Sequence, residues 1–426
     1  MIIRGGTVVT TRGAEHADIA IRDGRIVEIG PNLEREGNEI DASGLHIFPG
    51  GIDSHVHFNE PGRTEWEDIV HGSAALAAGG YTTFIDMPLN NLPVTTTVEA
   101  FDLKLDAMKR SSKLDFGLWA GLVPGNLDQL EGLVERGVVG FKAFMCPSGI
   151  DEFPACDERT LREGMNRIAE LESTLLVHAE APAKLLAPRG TAAMDFIRSR
   201  PPEAEIEAIQ ELIAFARETR CRTHVVHVST VPGITLIQEA RMRDIDVSGE
   251  TCAHYLLYAE EDLARLGGTG KCAPPFRSGG NRDDLKSMLA AGEIEMVVSD
   301  HSPSALELKQ GDDFLKIWGG ISGCQSTRQL LLADAILEPH LIAAVTATNI
   351  ANRFGLASKG DIAEGFDADL WIVDLDHKDI VRREDLLYRN PFSVHEGQKI
   401  RGRTVRTLVR GQEPGKGQFI RPGARS

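Results

Sequence analysis

The stretch Gly50-Gly51-Ile52-Asp53-Ser54-His55-Val56-His57-Phe58-Asn59-Glu60-Pro61-Gly62-Arg63 decides how the rest of the chain is read. A short apolar approach ends in two histidines one residue apart and runs at once into a Glu-Pro-Gly turn. Along an extended strand alternate side chains share a face, so His55 and His57 project together. Two imidazoles on one face at a strand end make half of a metal site. Isolated His-x-His pairs also arise by chance in solvated loops. The metal reading therefore depends on other strand ends supplying the remaining ligands.

Outward from this stretch, residues 50–357 alternate short apolar runs with helical segments. The runs are Thr82-Thr83-Phe84-Ile85, Val138-Val139-Gly140-Phe141, Leu175-Leu176-Val177, Val225-Val226 and Met296-Val297-Val298, and residues 204–217 and 283–291 are amphipathic. Alternating buried-type strands and helices predict a parallel sheet with helices outside. Roughly eight such units fit an α/β fold of the (β/α)8 barrel (TIM barrel) type. An open doubly wound sheet is the runner-up, but no G-x-G-x-x-G follows an early strand. Residues 1–49 read as short strands (Thr7-Val8-Val9, Asp18-Ile19-Ala20-Ile21, Arg25-Ile26-Val27-Glu28-Ile29), with Asp23-Gly24 as a tight turn. So small a segment has trouble burying a core alone. The other end offers Ala368-Asp369-Leu370-Trp371-Ile372-Val373-Asp374 and Arg403-Thr404-Val405-Arg406-Thr407-Leu408-Val409. The expectation is a small β-sandwich domain built from both termini, 1–49 and 358–426, around an inserted barrel over 50–357.

In such a barrel, chemistry collects at the carboxyl ends of the strands. Lys142 follows the run at 138–141, His178 the run at 175–177, His227 the run at 225–226, and Asp300 the run at 296–298. Each alone has an ordinary explanation: a snorkelling lysine, a hydrogen-bonded core histidine, a helix-capping aspartate. Together with His55 and His57 they suit two divalent ions sharing one oxygen bridge, with zinc foremost and manganese, cobalt or iron as alternatives. Lys142 fits only if modified. An ammonium near two dications is repelled and burial disfavours its charge, whereas a neutral amine adds CO2 to give an anionic carbamate (N6-carboxylysine) able to bridge.

Composition narrows the partners. A formal charge of −17 over 426 residues argues against nucleic acid or an anionic membrane as partner, since both want a basic face. There is no long apolar run, and Met1-Ile2-Ile3-Arg4-Gly5 reads as strand, so the location expected is cytoplasmic. Cys146, Cys156, Cys221, Cys252, Cys272 and Cys324 are scattered, with no C-x-x-C pair. They read as free thiols of a reducing compartment, none a metal ligand.

The split terminal domain, the barrel, His55-x-His57, Lys142, His178, His227 and Asp300 resemble the amidohydrolase superfamily, and within it the cyclic amidohydrolase branch of dihydroorotases, hydantoinases and allantoinases. That resemblance covers essentially the whole chain. It implies a hydrolase with a binuclear metal centre bridged by a carboxylated lysine. It further implies that a bridging hydroxide attacks a ring amide carbonyl, that Asp300 shuttles the proton, and that the chain forms a homotetramer. Dihydroorotases typically carry Arg two residues after the second histidine and Asn in an M-P-N segment, whereas this chain has Asn59 and Leu89. Without that guanidinium and amide a substrate carboxylate loses its strong partners, so an uncharged ring is expected. Residues 57–67, Met87-Pro88-Leu89-Asn90, Ser299-Asp300-His301-Ser302-Pro303 and Trp318-Gly319-Gly320-Ile321-Ser322-Gly323 are similar to allantoinases in particular. The activity so implied is opening of the hydantoin ring of allantoin to allantoate, in purine and ureide degradation. A hydantoinase or dihydropyrimidinase is next, then a dihydroorotase. A non-catalytic dihydropyrimidinase-like scaffold is the reading from another class, and it predicts gaps in the ligand set that are absent here. Candidate substrate contacts are Asn59, Asn90, Ala273, Gly320 and Ser322. His254 is expected behind the ligands, and His224 on the face opposite His227.

Overall fold

The computed structural model describes residues 1–34, 37–333 and 336–423. Residues 424–426, counted above in the terminal domain, lie outside the described residues, as do 35–36 and 334–335. Seven parallel strands follow one another in chain order: Gly51–Val56, Tyr81–Asp86, Asp115–Gly121, Gly140–Phe144, Thr174–His178, Arg222–Val225 and Val247–Gly249. Every residue of the strands Tyr81–Asp86 and Asp115–Gly121 is buried, as expected for strands covered on both faces. The chain then steps to Thr251–Cys252, which pairs with the eighth strand, Val297–Val298. The ring closes where Val56 bridges His301, with the His57 N–H donating to the His301 carbonyl at 2.8 Å. Closure sets the end of the eighth strand beside the end of the first.

The helices between the strands follow the apolar periodicity. Glu158–Glu170 starts at Asp157, whose side chain accepts from the Thr160 N–H at 2.8 Å, and buries Leu161, Gly164, Met165 and Ile168 at helical spacing. The amphipathic stretch at 204–217 lies within the helix Pro202–Thr219. The stretch at 283–291 belongs to a helix that begins earlier, at Gly279, because the Ser278 hydroxyl caps it by accepting from the Asn281 N–H.

Strands from both termini share one seven-stranded mixed sheet: Ile2–Thr10, Gly13–Arg22, Arg25–Gly30, Glu39–Asp41, His46–Pro49, Leu370–Ile380 and Lys399–Leu408. Asp23 and Gly24 both have positive φ (51° and 79°), the conformation that a two-residue hairpin demands. This sheet has a core of its own, including Ile3, Ile19, Ile47, Leu370, Ile372 and Leu408. Two buried charge clusters fasten it to the barrel. Arg328 donates to the carbonyls of Gly80 (2.7 Å) and Pro49 (3.1 Å) with its guanidinium over the Trp371 ring. Lys359 pairs with Asp115 of the third barrel strand and with Asp369, both at 2.6 Å. No helix among the described residues is long and apolar enough to cross a membrane.

Candidate metal centre and its cavity

Phe58 holds the end of the first strand in place. Its N–H donates to Asp86 Oδ1 at 2.7 Å and its carbonyl accepts from Lys104 Nζ at 2.5 Å, while Asp86 and Lys104 form a fully buried ion pair. The preceding imidazoles are fixed by their Nδ1 atoms. His57 Nδ1 donates to the Leu89 carbonyl at 2.6 Å, and His55 Nδ1 bonds Glu250 Oε1 at 2.5 Å. In each ring this leaves the Nε2 lone pair for the interior. Both lone pairs converge on Asp300: Oδ1 lies 3.2 Å from His55 Nε2 and 3.4 Å from His57 Nε2. One ligand atom from each of these three buried residues falls within 4.8 Å of the others, a spacing that can hold a metal ion.

Beside this group stands a second one. His178 Nε2 bonds Glu180 Oε2 at 2.6 Å, so the free lone pair of His178 is on Nδ1, 3.1 Å from His227 Nε2. The His227 ring centroid is 4.7 Å from that of His178 and 5.4 Å from that of His55, so the four imidazoles are linked neighbour to neighbour. His227 has φ 40° and Asp300 φ 44°, left-handed backbone of the kind that gathers at functional sites. The turn after His227 is held by the buried Glu205 carboxylate, which accepts from the N–H and hydroxyl groups of both Ser229 and Thr230.

Lys142 does not follow its strand but sits in the middle of it, since pairing begins at Gly140 and continues to Phe144. Its Nζ is buried and has no hydrogen-bond partner. Burial pulls the amine down to about 7, against the opposing pull of Asp300 and Glu250. An orphaned, neutral-leaning amine among inward-facing imidazoles and a carboxylate is a donor set that fits divalent metal ions. All six predicted ligands line one cavity of about 400 Å³.

Asn90, Ala273 and Gly320 line the same cavity, and Asn59 and Ser322 do not. Asn59 is buried with its amide 3.4 Å from the Pro303 carbonyl, and the Ser322 carbonyl accepts from the Ser393 hydroxyl. At Gly320, φ is 125° and a Cβ would meet the Ser302 carbonyl oxygen at 2.3 Å, so only glycine brings the backbone this close. The cavity's other cations are occupied or remote. Arg200 is bound by Glu180 through Nε (3.1 Å) and Nη2 (2.5 Å), Lys271 Nζ is surrounded by carbonyls, and Lys316 is largely exposed. Among the described residues lining the cavity, no free guanidinium is offered to a carboxylate.

Sequence reasoning missed Glu180, Glu250 and Arg200. Glu250 directly follows a barrel strand, so the strand-end rule that flagged Asp300 would have found it. Glu180, two residues past His178, shares that face on extended chain. His224 proves not to face away. Its Nε2 lies 3.2 Å from Glu250 Oε2, beneath His55, because the strand ends at Val225 and the chain turns before His227. His254 is buried with its Nε2 unpartnered, and the residue falls in a group with Cys252 and Asp300. All six cysteines are buried and unpaired.

A model of the amidohydrolase family matches residues 46–412. An allantoinase of Rubrobacter xylanophilus is 48% identical, with 99% of this chain and 97% of that protein aligned, and one of Solibacter usitatus is 46% identical over the same shares. Among solved structures, the L-hydantoinase (dihydropyrimidinase) of Arthrobacter aurescens superposes with a TM-score of 0.95 at 32% identity, covering 99% of both chains. The dihydropyrimidinase of Brevibacillus agri gives 0.91 at 29%, covering 100% of this chain and 99% of that one.

Proposed function

The chain belongs to the amidohydrolase family, and from that membership we propose that it opens the hydantoin ring of allantoin to give allantoate. The observation that carries this reading is the convergence of His55, His57, Lys142, His178, His227 and Asp300 on one cavity in a chain that matches allantoinases from end to end. The cavity wall supports a neutral substrate, since its guanidinium is already neutralised by Glu180. Hydantoinase activity is the second reading, favoured by the fold match to the Arthrobacter enzyme.

His55, His57 and Asp300 would hold one divalent ion, His178 and His227 the other, with carboxylated Lys142 shared between them. Zinc is the proposed metal, with manganese, cobalt or iron as alternatives, and CO2 is the source of the lysine modification. When bound, such ions supply Lewis acidity, which polarises a ring carbonyl and lowers the pKa of a water. The rest falls to the chain. Asp300 Oδ1, aimed between His55 and His57, takes the proton of the attacking water and returns it to the leaving ring nitrogen. Glu250 and Glu180 keep the imidazole lone pairs aimed inward. Asn90, with backbone groups of Ala273 and Gly320, lies where the ring and its arm bind. A cytoplasmic homotetramer completes the proposal.

The test is a rate comparison on allantoin, hydantoin and dihydroorotate after loading with zinc, manganese or cobalt. The expected result is the highest kcat/KM on allantoin. A clear win for dihydroorotate refutes the neutral-ring argument, and a win for hydantoin favours the second reading.

A further inference from the structure

Residues 314–320 form an irregular wall of the cavity, contributing Leu315, Lys316, Ile317, Trp318, Gly319 and Gly320 to its lining. Irregular backbone must find partners for its carbonyls one at a time. Here five of them are collected by two lysines. Lys271 Nζ donates to the carbonyls of Phe314 (2.8 Å), Leu315 (2.9 Å) and Ile317 (2.5 Å). Lys309 Nζ donates to those of Trp318 (3.0 Å) and Gly320. Both lysines are buried, and among the described residues neither forms an ion pair with a carboxylate. A buried ammonium normally seeks an anion. One committed wholly to backbone carbonyls is spent on holding that backbone.

The wall is fastened from other sides as well. The Gly320 N–H donates to the Lys271 carbonyl at 2.7 Å, the Trp318 N–H to the Leu308 carbonyl at 2.9 Å, and the Phe314 N–H to the Thr191 carbonyl at 2.9 Å. The Trp318 ring packs edge-on against Trp66, centroids 4.8 Å apart, on the turn that follows His57. The wall thus touches the turn beyond the first barrel strand on one side and the segment bearing Ala273 on the other.

We propose that Lys271 and Lys309 are positioning residues that clamp 314–320 shut as the outer wall of the cavity. By doing so they set how well the site grips the arm of a substituted hydantoin, as opposed to the bare ring. The second clause rests on the allantoin reading above, while the clamp itself does not.

The experiment therefore begins without substrate. Amide hydrogen exchange is followed over 314–320 in the wild type, Lys309→Met, Lys309→Arg and Lys271→Met. In Lys309→Met and Lys271→Met exchange there should quicken by about tenfold or more while the barrel strands keep their protection. In Lys309→Arg, which keeps N–H donors, the change should be smaller. On allantoin the methionine variants should show KM raised about tenfold with kcat within about threefold, and a reduced preference for allantoin over hydantoin. Unchanged exchange at 314–320 in both methionine variants overturns the clamp. Quickened exchange with unchanged KM and unchanged preference keeps the clamp and overturns its role in substrate grip. If neither methionine variant folds, the wild type decides. Its 314–320 amides should exchange more slowly than those of the equally irregular rim segment 148–153, and equal or faster exchange overturns the proposal.

Discussion

Arg200→Met removes the one Lys or Arg that, among the described residues, is bonded to Glu180, a carboxylate with no solvent exposure that also orients His178. In the wild type Glu180 receives Arg200 Nε at 3.1 Å and Nη2 at 2.5 Å, plus His178 Nε2 at 2.6 Å. Burial alone would raise the Glu180 carboxyl, but Arg200 and His178 outweigh it and hold the group well below the usual carboxylate range. Taking one partner from a buried ion pair strands the other charge, at a cost of about 3–5 kcal/mol. An unfolding entropy of about 2.1 cal/mol/K per residue gives a chain of 426 residues about 0.9 kcal/mol per degree. The expected fall in Tm is thus about 3–6 °C. Metal affinity should drop by about 10–100-fold, because Glu180, no longer pinned by Arg200, holds the His178 ring less firmly in the orientation that turns Nδ1 towards His227. The double variant Arg200→Met/Glu180→Gln should regain most of the lost stability, having no stranded charge, and little of the metal affinity. Thermal unfolding and competitive chelator titration measure the two effects separately. A Tm within about a degree of wild type in Arg200→Met, or a double variant less stable than the single one, refutes the reasoning.

Glu67 is buried beside His301, and burial lifts its carboxyl to about 8 from an ordinary 4.5, so the folded chain keeps a proton that the unfolded chain releases first. The stability this one group contributes is therefore full below about pH 4.5 and declines as pH rises towards 8, by up to about 5 kcal/mol. Glu67→Gln should remove that slope, and Tm measured at pH 5 and pH 8 should converge relative to wild type; an identical slope means Glu67 is not the group responsible. Asp300→Asn should lower kcat by about 10²–10⁴-fold while most of the metal stays bound, checked by elemental analysis alongside turnover. Metal-free protein reloaded with divalent ions should gain activity when bicarbonate is supplied, and bicarbonate should have no effect on any metal content found in Lys142→Ala.

Much of the site is legible in the linear chain because barrel topology turns a one-dimensional cue, the residue at the end of an apolar run, into a shared location. That is why His55, His57, His178, His227 and Asp300 can be gathered from the sequence alone. Lys142 yields to the same logic only loosely: the apolar run at 138–141 starts before the strand pairing does, so the lysine is displaced from strand end to strand middle. Glu250 also stands at a strand end, but its role is harder to read than its place, because that role lies in reaching back 195 positions to His55 Nδ1. The contact exists only once the seventh strand has curled round to face the first. The clamp lysines are less legible still. Their partners are main-chain carbonyls, which leave no trace in residue identity.

The most direct test of the whole account is the metal content of the purified chain and of Lys142→Ala under the same loading. Two divalent ions per wild-type chain and a large loss in the variant are expected, because under the proposal carboxylated Lys142 would be shared by both ions. A wild type that holds less than one ion per chain, or a variant that still holds its full complement, contradicts it.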